Sequence, residues 1–267
     1  MTEGLTLFVI LLAPAMGSFL ALLAERLPQQ EDVIAKPSAC CSCGTDLQAR
    51  DLVPLVSYLL LHGRCRHCGA VIPARLFYME ILALGAAVLA CAAGGGPAVV
   101  LLSCLFLWLL LALALTDLLW LRLPDLLTAG VFALGLGLAV VTSPAPVPEA
   151  LGFALLGAGL GAGSFLALRT GYRALRGREG LGLGDVKLMA GLGAFAGPLD
   201  LPLLVLMAAL MALLGGLGLS LHTRGLSAAG DQERQGPLAL MPLPFGTALA
   251  AAAALIWVLR AAHLLPF

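Results

Sequence analysis

Charge is what this sequence has least of. Asp, Glu, Lys and Arg make up only 11% of its 267 residues, against roughly 25% in soluble domains. Fifteen basic residues offset fifteen acidic ones, and no basic face interleaved with aromatic side chains can be assembled, so no nucleic acid is expected as a partner. Aromatic residues are scarce as well, at 6%. Internal repeats and low-complexity tracts are absent beyond a bias toward Ala, Leu and Gly. Met1-Thr2-Glu3 contains no Lys or Arg, so the first apolar run lacks the positive lead of a secretory signal and reads as a retained span.

What is abundant is apolar. Hydrophobic residues reach 61% and the mean hydropathy is +1.02. Apolar runs lie at 5–24, 76–93, 98–116, 126–141, 151–168, 186–196, 201–221 and 243–259, most of them near the ~20 residues that cross a bilayer as a helix. The breakers between them are turn-forming: Gly94-Gly95-Gly96-Pro97, Ser143-Pro144-Ala145-Pro146 and Gly197-Pro198. These features predict an all-α polytopic membrane protein with about eight transmembrane helices. Its one sizeable polar segment, 29–74, is expected to form a small subdomain. Within it the apolar stretch 52–61, interrupted by Pro54, is too short to span. The expected division is a first transmembrane helix at 1–28, a loop subdomain at 29–74 and a membrane core at 75–267.

The few charges are sorted by loop. Arg26, Lys36, Arg50, Arg64, Arg66 and Arg75 flank or occupy the first loop, and Arg122 lies in the third. Arg169, Arg173, Arg176, Arg178 and Lys187 belong to the fifth, Arg224 and Arg234 to the seventh, and Arg260 alone falls on the other side. The excess of Lys and Arg on one side predicts that the odd-numbered loops are cytoplasmic.

Two carboxylates then stand out by position. Asp117 closes the third apolar run, and Asp185 opens the sixth within Gly182-Leu183-Gly184-Asp185-Val186-Lys187. Both are expected at the same membrane face and at similar depth. An ionisable group at the edge of a span is costly and marks a functional candidate. Two facing carboxylates are the parts needed for general acid–base attack of water on a peptide bond. The plainer alternatives are a helix N-cap for Asp185 and an interfacial charge for Asp117. Asp125, after Leu123-Pro124, reads as an N-cap of the following helix. Glu80, a turn inside the second long run, has no obvious partner.

The polar segment holds two C-x-x-C knuckles, Cys40/Cys43 and Cys65/Cys68, each followed by glycine. Four thiolates with this spacing signal a tetrahedral zinc site. Disulfides are the competing reading, disfavoured where thiols stay reduced. Cys41 and His67 leave the ligand set open, while Cys91 and Cys104 sit within spans as packing residues. Because its own ligands close the site, the metal's expected role is structural.

Together these segments resemble the type IV prepilin peptidase family, membrane aspartyl proteases of the GxGD type. The resemblance is carried by Gly17-Ser18-Phe19-Leu20 with Arg26-Leu27-Pro28 and by the knuckles flanking Pro54-Leu55-Val56-Ser57-Tyr58 and Gly63-Arg64-Cys65. It continues in Asp117 with Leu123-Pro124-Asp125, in Glu179-Gly180 through Leu188, and in Pro244-Phe245-Gly246. It implies that Asp117 and Asp185 are the catalytic pair of a multi-pass enzyme of the bacterial inner membrane. The implied substrates are type IV prepilins and pseudopilins, cut at the cytoplasmic face. It further implies N-methylation of the new N-terminus with S-adenosylmethionine, linked to the loop subdomain. A peptidase without methyltransfer and a polytopic transporter are the alternatives, since acids beside glycine-broken helices also mark transporters. Three positions depart from the family pattern: Ala21 replaces an asparagine, and Cys41 and Thr247 replace prolines. None of the three is expected to touch the aspartates.

Overall fold

The computed structural model describes residues 3–33, 35–178, 180–227 and 244–265. Met1, Thr2, Glu179, Arg234 and Leu243, used in the sequence reading, lie outside the described residues. In a bilayer, where water cannot satisfy the backbone, a long apolar run closes its own hydrogen bonds as a helix. The long helices are α1 (Glu3–Arg26), α3 (Ala74–Ala93), α4 (Pro97–Trp120), α5 (Asp125–Thr142), α6 (Val147–Arg176), α7 (Leu183–Ser227) and α8 (Phe245–Ala261), with a short α2 (Val56–Leu60) in the polar segment. Among the described residues there are no strands beyond two isolated bridges.

Six of these helices are long and apolar enough to cross a membrane, and α8 is a shorter apolar one. The last of the six, α7, is broken at Gly197, whose φ of 70° and ψ of 171° are not helical. That break falls at the Gly197-Pro198 turn signal. Counting the segments before and after it separately gives eight apolar helical segments among the described residues. Proline begins α4 at Pro97, where its missing N–H costs nothing.

Small residues set the helix packing. A Cβ on Gly157 of α6 would fall 2.3 Å from the Gly193 carbonyl oxygen of α7, and one on Gly17 of α1 would fall 2.6 Å from the Met79 carbonyl oxygen of α3. Backbones this close gain dispersion contacts that larger side chains would prevent. Helix α4 carries the largest buried share of its apolar window and includes the fully buried Phe106, Leu110 and Leu113.

The break in α7 is held from α8. Arg260 is buried and donates to the carbonyls of Phe195 and Ala196, each at 2.8 Å, and to Asp200 Oδ2 at 2.7 Å. A helix interrupted at Gly197 leaves carbonyls without their usual donors, and the guanidinium supplies replacements. Its place in the sequence marks Arg260 only as a charge on the far side.

The segment between α1 and α3 is tethered at both ends. Arg26 is buried and donates to the carbonyls of Asp32, Lys36 and Pro37 at 3.1, 2.7 and 3.1 Å. Glu80 accepts a hydrogen bond from the Ser18 hydroxyl and another, at 2.6 Å, from the backbone amide of Leu55. Leu55 has a φ of 61°, a conformation costly for a leucine. Tyr58 stacks on Phe77 with centroids 4.6 Å apart. Glu80 therefore has partners after all, and it joins α1, α3 and the loop at one point.

Candidate active site

Asp117 lies in the last turn of α4 and is buried. The helix ends at Leu121, which turns into the left-handed region with a φ of 51° and donates its amide to the Asp117 carbonyl at 2.9 Å. Leu123 and Pro124 follow, and α5 starts at Asp125. The Asp117 side chain faces the start of α8. Its Oδ2 accepts the backbone N–H of Thr247 at 2.7 Å and lies 3.2 Å from Thr247 Oγ1. Asp117 thus satisfies an amide at the N-terminus of a helix 130 residues away in sequence. Pro244 there provides no side-chain cap of its own.

Asp185 is the third residue of α7, and its carboxylate lies close to Gly182 just before the helix, with Oδ2 3.4 Å from where a Cβ on that glycine would stand. Asp185 therefore occupies N3 rather than the N-cap. Gly184 allows its close approach to the Asp117 segment, since a Cβ there would lie 2.9 Å from Leu123 Cβ. Asp117 and Asp185 line one cavity of about 590 Å³ and are close enough to interact electrostatically. The two residues singled out by position are therefore neighbours.

Asp125, which also lines this cavity, is arranged differently from expectation. Asp125 is the first residue of α5, and Pro124 holds the N-cap position. The Asp125 carboxylate instead accepts a hydrogen bond from Lys187 Nζ at 2.6 Å, across an exposed ion pair. Lys187, two residues from Asp185, is thus committed to α5. Thr247 overturns another expectation: the third departure from the family pattern contacts Asp117 directly. Its only local signal was an uncapped helix start, which says nothing about the partner.

The thiols gather in a second centre. The Sγ atoms of Cys40, Cys43, Cys65 and Cys68 all lie within 4.8 Å of one another. Each knuckle closes the same way. Gly44 N–H donates to Cys40 C=O at 2.9 Å and Cys40 N–H to Thr45 C=O at 3.0 Å. Gly69 N–H donates to Cys65 C=O at 2.9 Å and Cys65 N–H to Ala70 C=O at 2.8 Å. Both glycines have positive φ, 69° and 71°, which only glycine adopts without strain. Two antiparallel bridges, Ala39 with Asp46 and Arg64 with Val71, flank the turns.

Sulfurs around a tetrahedral zinc with bonds of roughly 2.3 Å stand about 3.8 Å apart, and Cys40 Sγ is 3.8 Å from Cys68 Sγ. The donor set fits zinc. Cys41 and His67 are exposed and outside the cluster. The Thr45 hydroxyl, then its backbone amide, hold the Cys43 thiol down to about 6. Cys68 has the Ala70 amide beside it but is pushed up to about 11 by burial and the neighbouring thiols. Arg66 and Asp51 pair at 2.8 Å beside the second knuckle, and the guanidinium lowers the Asp51 carboxyl.

Fold and site define a polytopic helical membrane protein with a carboxylate pair at one end of its bundle and a four-thiol centre in the loop that follows α1. Residues 104–217 match the type IV leader peptidase family, and residues 11–93 match the bacterial peptidase A24 N-terminal domain. Curated relatives named prepilin leader peptidase/N-methyltransferase are similar along most of the chain. The protein from Aeromonas salmonicida (strain A449) is 34% identical, with 93% of this chain and 89% of the relative covered. The Pseudomonas aeruginosa protein is 32% identical over 94% and 90%, and that of Dichelobacter nodosus 32% over 85% and 73%. No solved structure matches. The chain belongs to the type IV leader peptidase family.

Proposed function

We propose that this protein is a bifunctional prepilin peptidase, cleaving the leader of type IV prepilins and pseudopilins and N-methylating the new N-terminus with S-adenosylmethionine. The observation that carries this reading is the shared cavity of Asp117 and Asp185 in a chain of this family. One carboxylate takes a proton from the attacking water while the other, protonated, donates to the scissile carbonyl oxygen. The gem-diol intermediate then collapses as the first returns its proton to the leaving amine and the second takes back the proton from the hydroxyl it had protonated, which re-forms the carbonyl. Both steps balance on a single proton shared by the pair.

In this reading the chain divides into the first transmembrane helix at 1–28, the loop subdomain at 29–74 and the peptidase core at 75–267. Cys40, Cys43, Cys65 and Cys68 hold a structural zinc that folds a segment with little apolar core. Methylation depends on the loop, and S-adenosylmethionine supplies the methyl group. The site faces the cytoplasm from the inner membrane, in line with the sorting of Lys and Arg by loop.

The test is mass spectrometry of a panel of type IV prepilins incubated with the membrane-embedded protein, with and without S-adenosylmethionine. Wild type is expected to remove the leader and, with the methyl donor, to add one methyl group. Asp185→Asn and Asp117→Asn are expected to do neither on full-length substrate. Wild-type cleavage of none of the panel would return the reading to a transporter or an assembly factor.

A further inference from the structure

Thr247 carries one hydroxyl hydrogen and faces two acceptors. Its Oγ1 is 3.0 Å from the Ala114 carbonyl oxygen and 3.2 Å from Asp117 Oδ2, and its backbone N–H reaches the same Oδ2 at 2.7 Å. A single hydrogen cannot serve both acceptors at once. When Asp117 is ionised, the hydroxyl can donate to Oδ2. When Asp117 is protonated at Oδ1, on the side of the cavity, the backbone amide keeps Oδ2 and the hydroxyl hydrogen turns to the Ala114 carbonyl. Either way every hydrogen has an acceptor, and no proton is gained or lost by the threonine.

We propose that Thr247 is a positioning residue for Asp117, holding Oδ2 against the start of α8 in both protonation states and so directing Oδ1 to the cavity shared with Asp185. This rests on the peptidase reading, in which Asp117 must change protonation state during each turnover. The amide alone fixes the carboxylate in space. The hydroxyl lets it exchange a proton without leaving a buried group unpaired, and an unpaired group is costly in a dry site. Gly246 makes the arrangement possible, because the Asp117 carboxylate occupies the space that a side chain there would need.

The experiment compares Thr247→Val, which keeps shape and amide but loses the hydroxyl, with Thr247→Ser, which keeps the hydroxyl. Wild type, Asp117→Asn and Asp185→Asn are run beside them in liposomes on the same prepilin panel, with thermal unfolding of each purified variant. Thr247→Val is expected to lower kcat roughly ten- to hundredfold with KM and unfolding temperature unchanged. Thr247→Ser is expected to stay within about threefold of wild type. A Val variant with wild-type kcat overturns the proposal, as does an equal loss in both variants or a loss tracking reduced stability. Full activity in Asp117→Asn would instead overturn the peptidase reading beneath it.

Discussion

Gly246 and Asp117 meet so closely that a Cβ on the glycine would stand 3.1 Å from both Cγ and Oδ2 of the carboxylate. The glycine lies in the first turn of α8, and its φ is not in the left-handed region. Nothing in its backbone conformation therefore demands glycine; the side chains of Asp117 and of Leu123, whose Cδ1 would stand 3.0 Å from such a Cβ, crowd the position. Gly246→Ala is expected to lower cleavage roughly tenfold or more by displacing Asp117. Helix propensity would by itself favour the alanine by about 1 kcal/mol. Activity falling while the unfolding temperature holds or rises is the signature to measure.

Glu80 gathers Ser18 of α1 and the strained Leu55 of the loop on one carboxylate. Glu80→Ala strands both donors and is expected to cost about 2 kcal/mol in the loop's attachment. Limited proteolysis should then cut within 29–74 faster than in wild type while the helical circular dichroism of the bundle is retained. Unchanged cleavage rates would mean that Arg26 and the stacked pair of Tyr58 and Phe77 suffice to hold the loop.

The four-thiol centre should retain about one zinc per chain on elemental analysis. Serine at Cys40, Cys43, Cys65 or Cys68 is expected to remove it, whereas Cys41→Ser, outside the cluster, should keep the wild-type content. Strong chelation should expose the loop to protease in the same way as those four substitutions. Zinc retained after loss of any two of the four thiols would contradict the site.

Arg260 and Asp200 form a buried pair, their side chains only 7% and 17% exposed. Removing one partner leaves the other charge uncompensated, and Asp200→Asn is expected to cost about 3 kcal/mol. Arg260→Met should cost more, since it also strips donors from the Phe195 and Ala196 carbonyls at the α7 break. Thermal unfolding in one detergent, with prepilin cleavage as a second readout, compares the two. The exposed pair of Asp125 and Lys187 provides the contrast: Lys187→Met should change stability by less than about 1 kcal/mol.

Much of this architecture is legible in the chain because it is local. Apolar runs bounded by glycine and proline become helices wherever water is absent, and Gly197-Pro198 breaks α7 where the turn signal lies. The knuckles follow from spacing and a positive-φ glycine four residues after each thiol pair's first member. Asp117 and Asp185 could be singled out because a charge at the edge of a span is conspicuous in a sequence with so few.

What tertiary packing decided is which of these pieces touch. Thr247 looked remote from the aspartates, yet it donates to Asp117 across 130 positions. Arg260 looked like a solitary far-side charge, yet it closes the α7 break from α8. Asp125 looked like a cap for its own helix, yet it pairs with Lys187 of α7. Period and turn chemistry act over a few residues and can be read along the chain. Close approach between helices depends on where glycines let backbones meet, as Gly184 does at Leu123 and Gly246 at Asp117. Helix formation was therefore determined by sequence alone, and the meeting of the two carboxylates by the packing.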